Sequence, residues 1–99
     1  MPHALILAMS EDDALDFVLT DRIAIVHRKL GAHLSLVWPG EFKRLIYSSP
    51  FDHLLVTPAV RAHPDQAAAR AWVAACLTRV KGEDGLTPVQ RLRQETANA

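Results

Sequence analysis

The chain has 99 residues, 49% hydrophobic and 22% charged, with 11 basic and 11 acidic side chains and a pI near 7.0. This suits one globular domain, and the neutral balance argues against a dedicated nucleic-acid surface, which needs a surplus of Lys and Arg on one face. Cys76 is the only cysteine, so no intrachain disulfide is possible; no charged start with a long apolar run marks a signal peptide or spanning helix. The expected setting is cytoplasmic, without membrane contact.

The stretch from Pro2 to Leu34 organises the chain, as strand, capped helix, strand and helix. His3 to Met9 is an unbroken apolar run, as in a strand covered on both faces. Ser10 can accept from the amide of Asp13, and Glu11, Asp12 and Asp13 suit the positive end of a helix, so Ser10 to Asp13 resembles a capping box. The helix predicted next has its apolar face at Ala14, Leu15, Val18 and Leu19, with Phe17 on the flank. Thr20-Asp21 breaks the pattern, and Arg22 to Val26 is most simply a second buried strand, parallel to the first through a right-handed crossover. Arg28 to Leu34 then reads as a short helix weakened by Gly31 in its middle.

Residues 35–53 read as a connector. Trp38-Pro39-Gly40 is a turn within it, and Lys43 to Tyr47 a short strand closed by Ser48-Ser49-Pro50. Leu54 to Thr57 is a further strand, which Pro58 ends or places at an edge. His63-Pro64-Asp65 opens the strongest helix, running to about Lys81 with Gly82 as its stop. Its buried stripe is Ala69, Trp72, Val73, Cys76, Leu77 and Val80, anchored by Trp72, while Arg70 sits off it. The tail, residues 83–99, is polar, with room for a frayed helix from Pro88 to Thr96. The predicted class is α/β, in the order β-α-β-α-β-β-α, with a parallel or mixed sheet and helices on its faces. A parallel sheet needs cover on both faces, and a chain this short has few helices to supply it, so the chain is expected to self-associate into a homo-oligomer or to be part of something larger.

Asp21 to Leu34, DRIAIVHRKLGAHL, resembles the C-terminal part of the effector-binding domain of LysR-type transcriptional regulators, where a strand is followed by basic residues and a short helix. Leu5 to Leu19 resembles the preceding strand–helix step. Leu54-Leu55-Val56, His63-Pro64-Asp65 and Arg70-Ala71-Trp72-Val73 resemble the last strand and closing helix, so residues 2–81 are covered. His27 departs from the proline usual there. The resemblance implies part of a periplasmic-binding-protein-like (type 2) lobe, spanning residues 1–82: a small-molecule effector-binding and oligomerising module, taking a small organic acid, without DNA-binding or catalytic activity of its own. These residues hold no counterpart of that family's DNA-binding helix-turn-helix, so a fragment of a transcriptional regulator is the expectation. The alternative is a stand-alone oligomeric protein that keeps the scaffold for packing or partner contact and has lost the ligand cleft.

The candidate ligand-binding residues are Ser10, Thr20 and Asp21. The helix start at Ser10 could hold a carboxylate, but its acidic neighbours answer the dipole and make plain capping the simpler reading. Thr20 and Asp21 are first of all turn residues. Histidines 3, 27, 33, 53 and 63 lack the spacing of a metal site, and no metal or other cofactor is expected. Cys76 lies on the packing stripe, Ser48 and Ser49 lack a nucleophile elbow, and no enzyme is expected. Arg28-Lys29 and Lys43-Arg44 read as solvated faces, not nucleic-acid contacts.

Overall fold

The computed structural model describes residues 2–46, 50–82 and 84–97. Strand β1 (His3–Leu7) lies at the centre of a three-stranded parallel sheet of order β2-β1-β3. It pairs with β2 (His33–Val37) in the register His3↔His33 and with β3 (His53–Val56) in the register Ala4↔His53. Ala4 to Ala8 are buried on both faces, which is why the strand is apolar without alternation. The α/β class is thus observed, with helices on both faces of a parallel sheet.

Helix α1 (Glu11–Thr20) starts where its cap predicts: Ser10 Oγ accepts from the Asp13 amide at 3.2 Å. Its inward face is turned from the expected one. Ala14 and Phe17 are buried and Val18 half-buried, whereas Leu15 and Leu19 are exposed.

The largest correction concerns Arg22 to Val26, which is helical. Asp21, expected in a turn, closes α1 and caps α2 (Arg22–Lys29): its Oδ1 accepts from the amides of Ile23 at 2.9 Å and Ala24 at 3.3 Å. A four-residue apolar run fits either a strand or a helix by period, and here the cap decides, helped by His27, Arg28 and Lys29 at the negative helix end. Gly31 is therefore not a mid-helix flaw. At φ +82 it follows the last helical turn, with Gly31 N donating to Arg28 O and Ala32 N to His27 O, a Schellman stop that favours glycine. The predicted helix over Arg28 to Leu34 thus divides into the end of α2 and the start of β2, and the connector's first residues complete that strand.

The turn at Trp38-Pro39-Gly40 is present, with Glu41 N donating to Trp38 O at 3.0 Å and Gly40 at φ +94. The strand expected over Lys43 to Tyr47 is instead a 3₁₀ helix (Phe42–Ile46) as far as it is described; Tyr47, Ser48 and Ser49 lie outside the described residues. Its three-residue repeat brings half-buried Phe42 and buried Leu45 to one side, against the core. After β3, Thr57 caps α3 (Pro58–Arg61) and Asp65 caps α4 (Gln66–Leu77), which ends before the Gly82 stop. Val80 then forms a parallel bridge to Phe51, and the polar tail contains α5 (Pro88–Ala97), which buries no residue.

Two apolar clusters face away from each other across the sheet. Ile6, Phe17 and Ala24 join α1 and α2 to one face, with Leu34, Leu36 and Leu55 beside them. On the other face Leu5, Leu7, Val37, Leu45, Phe51, Val60, Ala69 and Cys76 pack together. Trp72, the expected anchor, is only half-buried at the margin of this cluster, edge-on to His63; Phe51, 1% exposed, holds the centre.

Candidate ligand site at the carboxyl end of the sheet

The neighbouring strands β1 and β3 send the chain to opposite faces, β1 to α1 and β3 to α4. A parallel sheet opens a crevice at such a switch point, beyond the carboxyl ends of its strands. Asp13 fastens this one. Its Oδ2 accepts from Met9 N at 2.9 Å and from the fully buried Thr57 hydroxyl at 2.7 Å, tying α1 to the ends of both strands.

On the α1 side of the crevice, Asp13, Asp16, Phe17, Thr20, Asp21, Pro58 and Ala59 line a pocket of about 260 Å³. Thr20 and Asp21 share this pocket, while Ser10 sits at the opposite end of α1. Each has a local role. Ser10 caps α1, the Thr20 hydroxyl donates to Asp16 O at 2.8 Å, and Asp21 caps α2. Three aspartates on one wall disfavour an anion.

The α4 side has the opposite character. An open groove of about 350 Å³ between α3 and α4 is floored by Val56, Val60, Ala69, Val73, Ala74 and Leu77, and flanked by Arg61, Arg70 and Gln66. Among the described residues, neither arginine forms an ion pair and no carboxylate lines the groove. The Gln66 amide donates to the backbone carbonyl of Arg61 at 3.2 Å, holding the start of α4 against the end of α3. Arg61 and Arg70 carry no motif spacing. They meet only because a four-residue helix and its loop fold the chain back, so periodicity could show Arg70 only as a residue off the buried stripe.

At the other end of the sheet every strand begins with a histidine: His3, His33 and His53. They divide between the faces. His3 and His33 are register partners with ring centroids 4.9 Å apart, whereas His53 pairs with His27 of α2 at 5.1 Å. Among the described residues, no three His, Cys, Asp or Glu side chains gather where they could hold a metal ion. His3 Nε2 lies 2.7 Å from Ser35 Oγ, a cross-strand pair that a sequence reading with Ser35 in a connector misses. Asp52 does not complete a catalytic relay, because its carboxylate accepts from the His3 backbone amide at 2.8 Å and not from the ring. Cys76 is fully buried, and burial pushes its thiol up to about 11, so it packs as an apolar side chain and is a poor nucleophile.

Burial, then the charge of neighbouring His33, holds the His3 imidazole below the ordinary value of 6.5; Asp52 partly opposes this. A depressed histidine pKa means that the unfolded chain binds the proton more tightly. Stability is therefore full above 6.5 and is lost as pH falls from there through the folded-state value. Urea midpoints compared between about pH 7.5 and pH 5 are expected to fall less in His3→Asn than in the wild type. Equal slopes in the two proteins would remove His3 as a source of acid sensitivity.

No helix among the described residues is long and apolar enough to cross a membrane. No family model, curated protein or solved structure matches this chain.

Proposed function

We propose that this protein is a small-molecule-binding module whose ligand is an organic acid with an apolar body, held in the groove between α3 and α4. The observation that carries this reading is the pairing of an apolar floor with Arg61 and Arg70, neither of them neutralised by a carboxylate among the described residues. An apolar pocket with a few convergent polar groups is the usual form of a small-ligand site, and guanidinium groups suit a carboxylate. Ligand sensing is also what a lobe of a periplasmic-binding-protein-like domain would do. The reading rests on the groove and not on the resemblance to LysR-type effector domains, whose strand-then-helix order at Asp21 to Leu34 is reversed here. The acid-lined pocket at Thr20 and Asp21 lies outside the proposed acid site.

A thermal-shift titration with benzoate, salicylate, hexanoate and octanoate tests it. At tenfold excess over Kd, the fitting acid is expected to add about 1.4 kcal/mol of stability, on the order of 5–10 °C in Tm. Arg61→Ala combined with Arg70→Ala should abolish the shift without lowering the unliganded Tm by more than a few degrees, since both side chains are exposed. No saturable shift with any of the four acids, or an equal shift in the double variant, would remove the groove as an acid site.

A further inference from the structure

We propose that Ser35 and His3 form a nucleophile and base pair that hydrolyses small carboxylic esters in a pocket beside β2. The pair lies at the amino end of the sheet and is independent of Arg61 and Arg70. In the register of β1 with β2, His3 stands beside His33 and Leu5 beside Ser35. Alternation along the strands sends the Ser35 side chain to the same face as Leu5 and Val37, where Leu45 and Phe51 pack. On that face a pocket of about 250 Å³ opens, lined by Leu5, Ser35, Val37, Arg44, Leu45 and Phe51. Ser35 is half-buried, within reach of a molecule that enters.

The base is already in place. Ser35 Oγ lies 2.7 Å from His3 Nε2, the separation at which a ring nitrogen can take the hydroxyl proton. Packing fixes the ring: it stands edge-on to Phe51 with centroids 4.4 Å apart and to His33 at 4.9 Å, while Asp52 anchors the His3 backbone amide. Burial and the neighbouring His33 hold the imidazole below its ordinary value, so at neutral pH it is uncharged and can accept a proton. A cross-strand bond made for packing alone would need no opening at the serine. Arg44 supplies the pocket's positive charge. Its guanidinium lies over Trp38, 5.4 Å from the ring centroid, with Nε 3.4 Å from Glu41, and it can face the charge that an ester carbonyl gains under attack. The apolar walls suit a short aliphatic or small aromatic acyl group.

In the first step His3 Nε2 takes the Ser35 proton as Oγ bonds to the acyl carbon. The ester carbon–oxygen bond then breaks, and the leaving alcohol takes the proton from His3. In the second step a solvent water gives a proton to His3 as its oxygen bonds to the acyl carbon. Ser35 Oγ leaves and takes that proton back, and the carboxylic acid is released.

Hydrolysis of p-nitrophenyl acetate and butyrate by the full chain, with phenylmethanesulfonyl fluoride as a covalent probe, tests the pair. The wild type is expected to turn both esters over and to be sulfonylated at Ser35, as located by mass spectrometry of its peptides. Ser35→Ala should abolish turnover and labelling with its circular dichroism unchanged. His3→Gln should slow labelling by about a hundredfold or more, the usual worth of a general base. Because His3 also packs on Phe51, the pH profile of the wild type gives a readout that needs no variant. Labelling should rise as His3 loses its proton below pH 6.5 and be level by neutral pH; the other titratable groups near the ring are His33, Asp52 and, through Asp52, Lys81. An unassisted serine would instead react faster at every step up in pH. An unlabelled wild type, a label on another residue, a rate that climbs without a plateau, or equal turnover in Ser35→Ala would each overturn the proposal.

Discussion

Replacing Phe51 by alanine is expected to cost about 3–5 kcal/mol of stability, because its ring is fully buried and its removal leaves a cavity in the core. The residue joins three parts of the molecule. Its ring packs edge-on to His3 of β1 at 4.4 Å, its side chain sits among Leu5, Leu7, Val37 and Cys76, and its backbone holds the segment leaving α4 through Arg79 O and Lys81 N. Since a domain's whole stability is about 5–15 kcal/mol, a large fraction of the variant should be unfolded at moderate urea concentrations. Trp72→Ala should cost distinctly less, as Trp72 is half-buried at the margin of the same cluster. Equilibrium urea unfolding of both variants checks the order. A Phe51 cost below about 1 kcal/mol, or a larger cost at Trp72, would mean that the core is centred elsewhere.

Asp13→Ala is expected to be the second most damaging change, at about 2–4 kcal/mol. The loss is not that of a surface charge. One carboxylate oxygen serves the Met9 amide and the Thr57 hydroxyl, and without it the Thr57 hydroxyl, fully buried, has lost an acceptor. Asp13→Asn should cost less, because an amide oxygen placed where Oδ2 stands can accept both bonds, though without the carboxylate's charge. Glu11→Ala and Asp12→Ala are the controls: both residues are exposed in the same helical turn, and each change should stay within about 0.5 kcal/mol. If all three acidic positions respond alike in urea unfolding, the effect of Asp13 is that of the helix dipole alone.

What could be read from the sequence is what local chemistry decides. The apolar run of β1, the Ser10 cap, the Pro39-Gly40 turn, the strand before Pro58 and the helix after Asp65 each carry their signal within a few residues. Ile23 to Val26 does not, since a strand and a helix would both accept it, and the deciding bonds from Asp21 look in sequence like an ordinary turn residue. The next two elements depend on that step: Gly31 is the stop of α2 and not the middle of a helix, and β2 begins where the pattern predicts a helix and a connector. The face of α1 departs from its pattern for a related reason. Leu15 and Leu19 suggest a core side by hydrophobicity, but Phe17 points to the sheet, and α2, where a strand was expected, occupies the neighbouring space. The candidate site was least legible. Arg61 and Arg70 lie on different helices, and Asp13 meets Thr57 across 44 residues, so these contacts exist only after the topology is known.

The central place of β1 also bears on how the chain reaches its native state. Neither of its partners follows it through a hairpin: His33 lies about 30 residues on and His53 about 50, so both ladders require the closure of long loops before any sheet hydrogen bond can form. Helices α1 and α2, sharing Asp21 as stop and start, can form from neighbours alone. The kinetic barrier therefore falls at the docking of β1 between two distant strands, and for that interval its apolar edges stand open to the same segment of any other chain still being made.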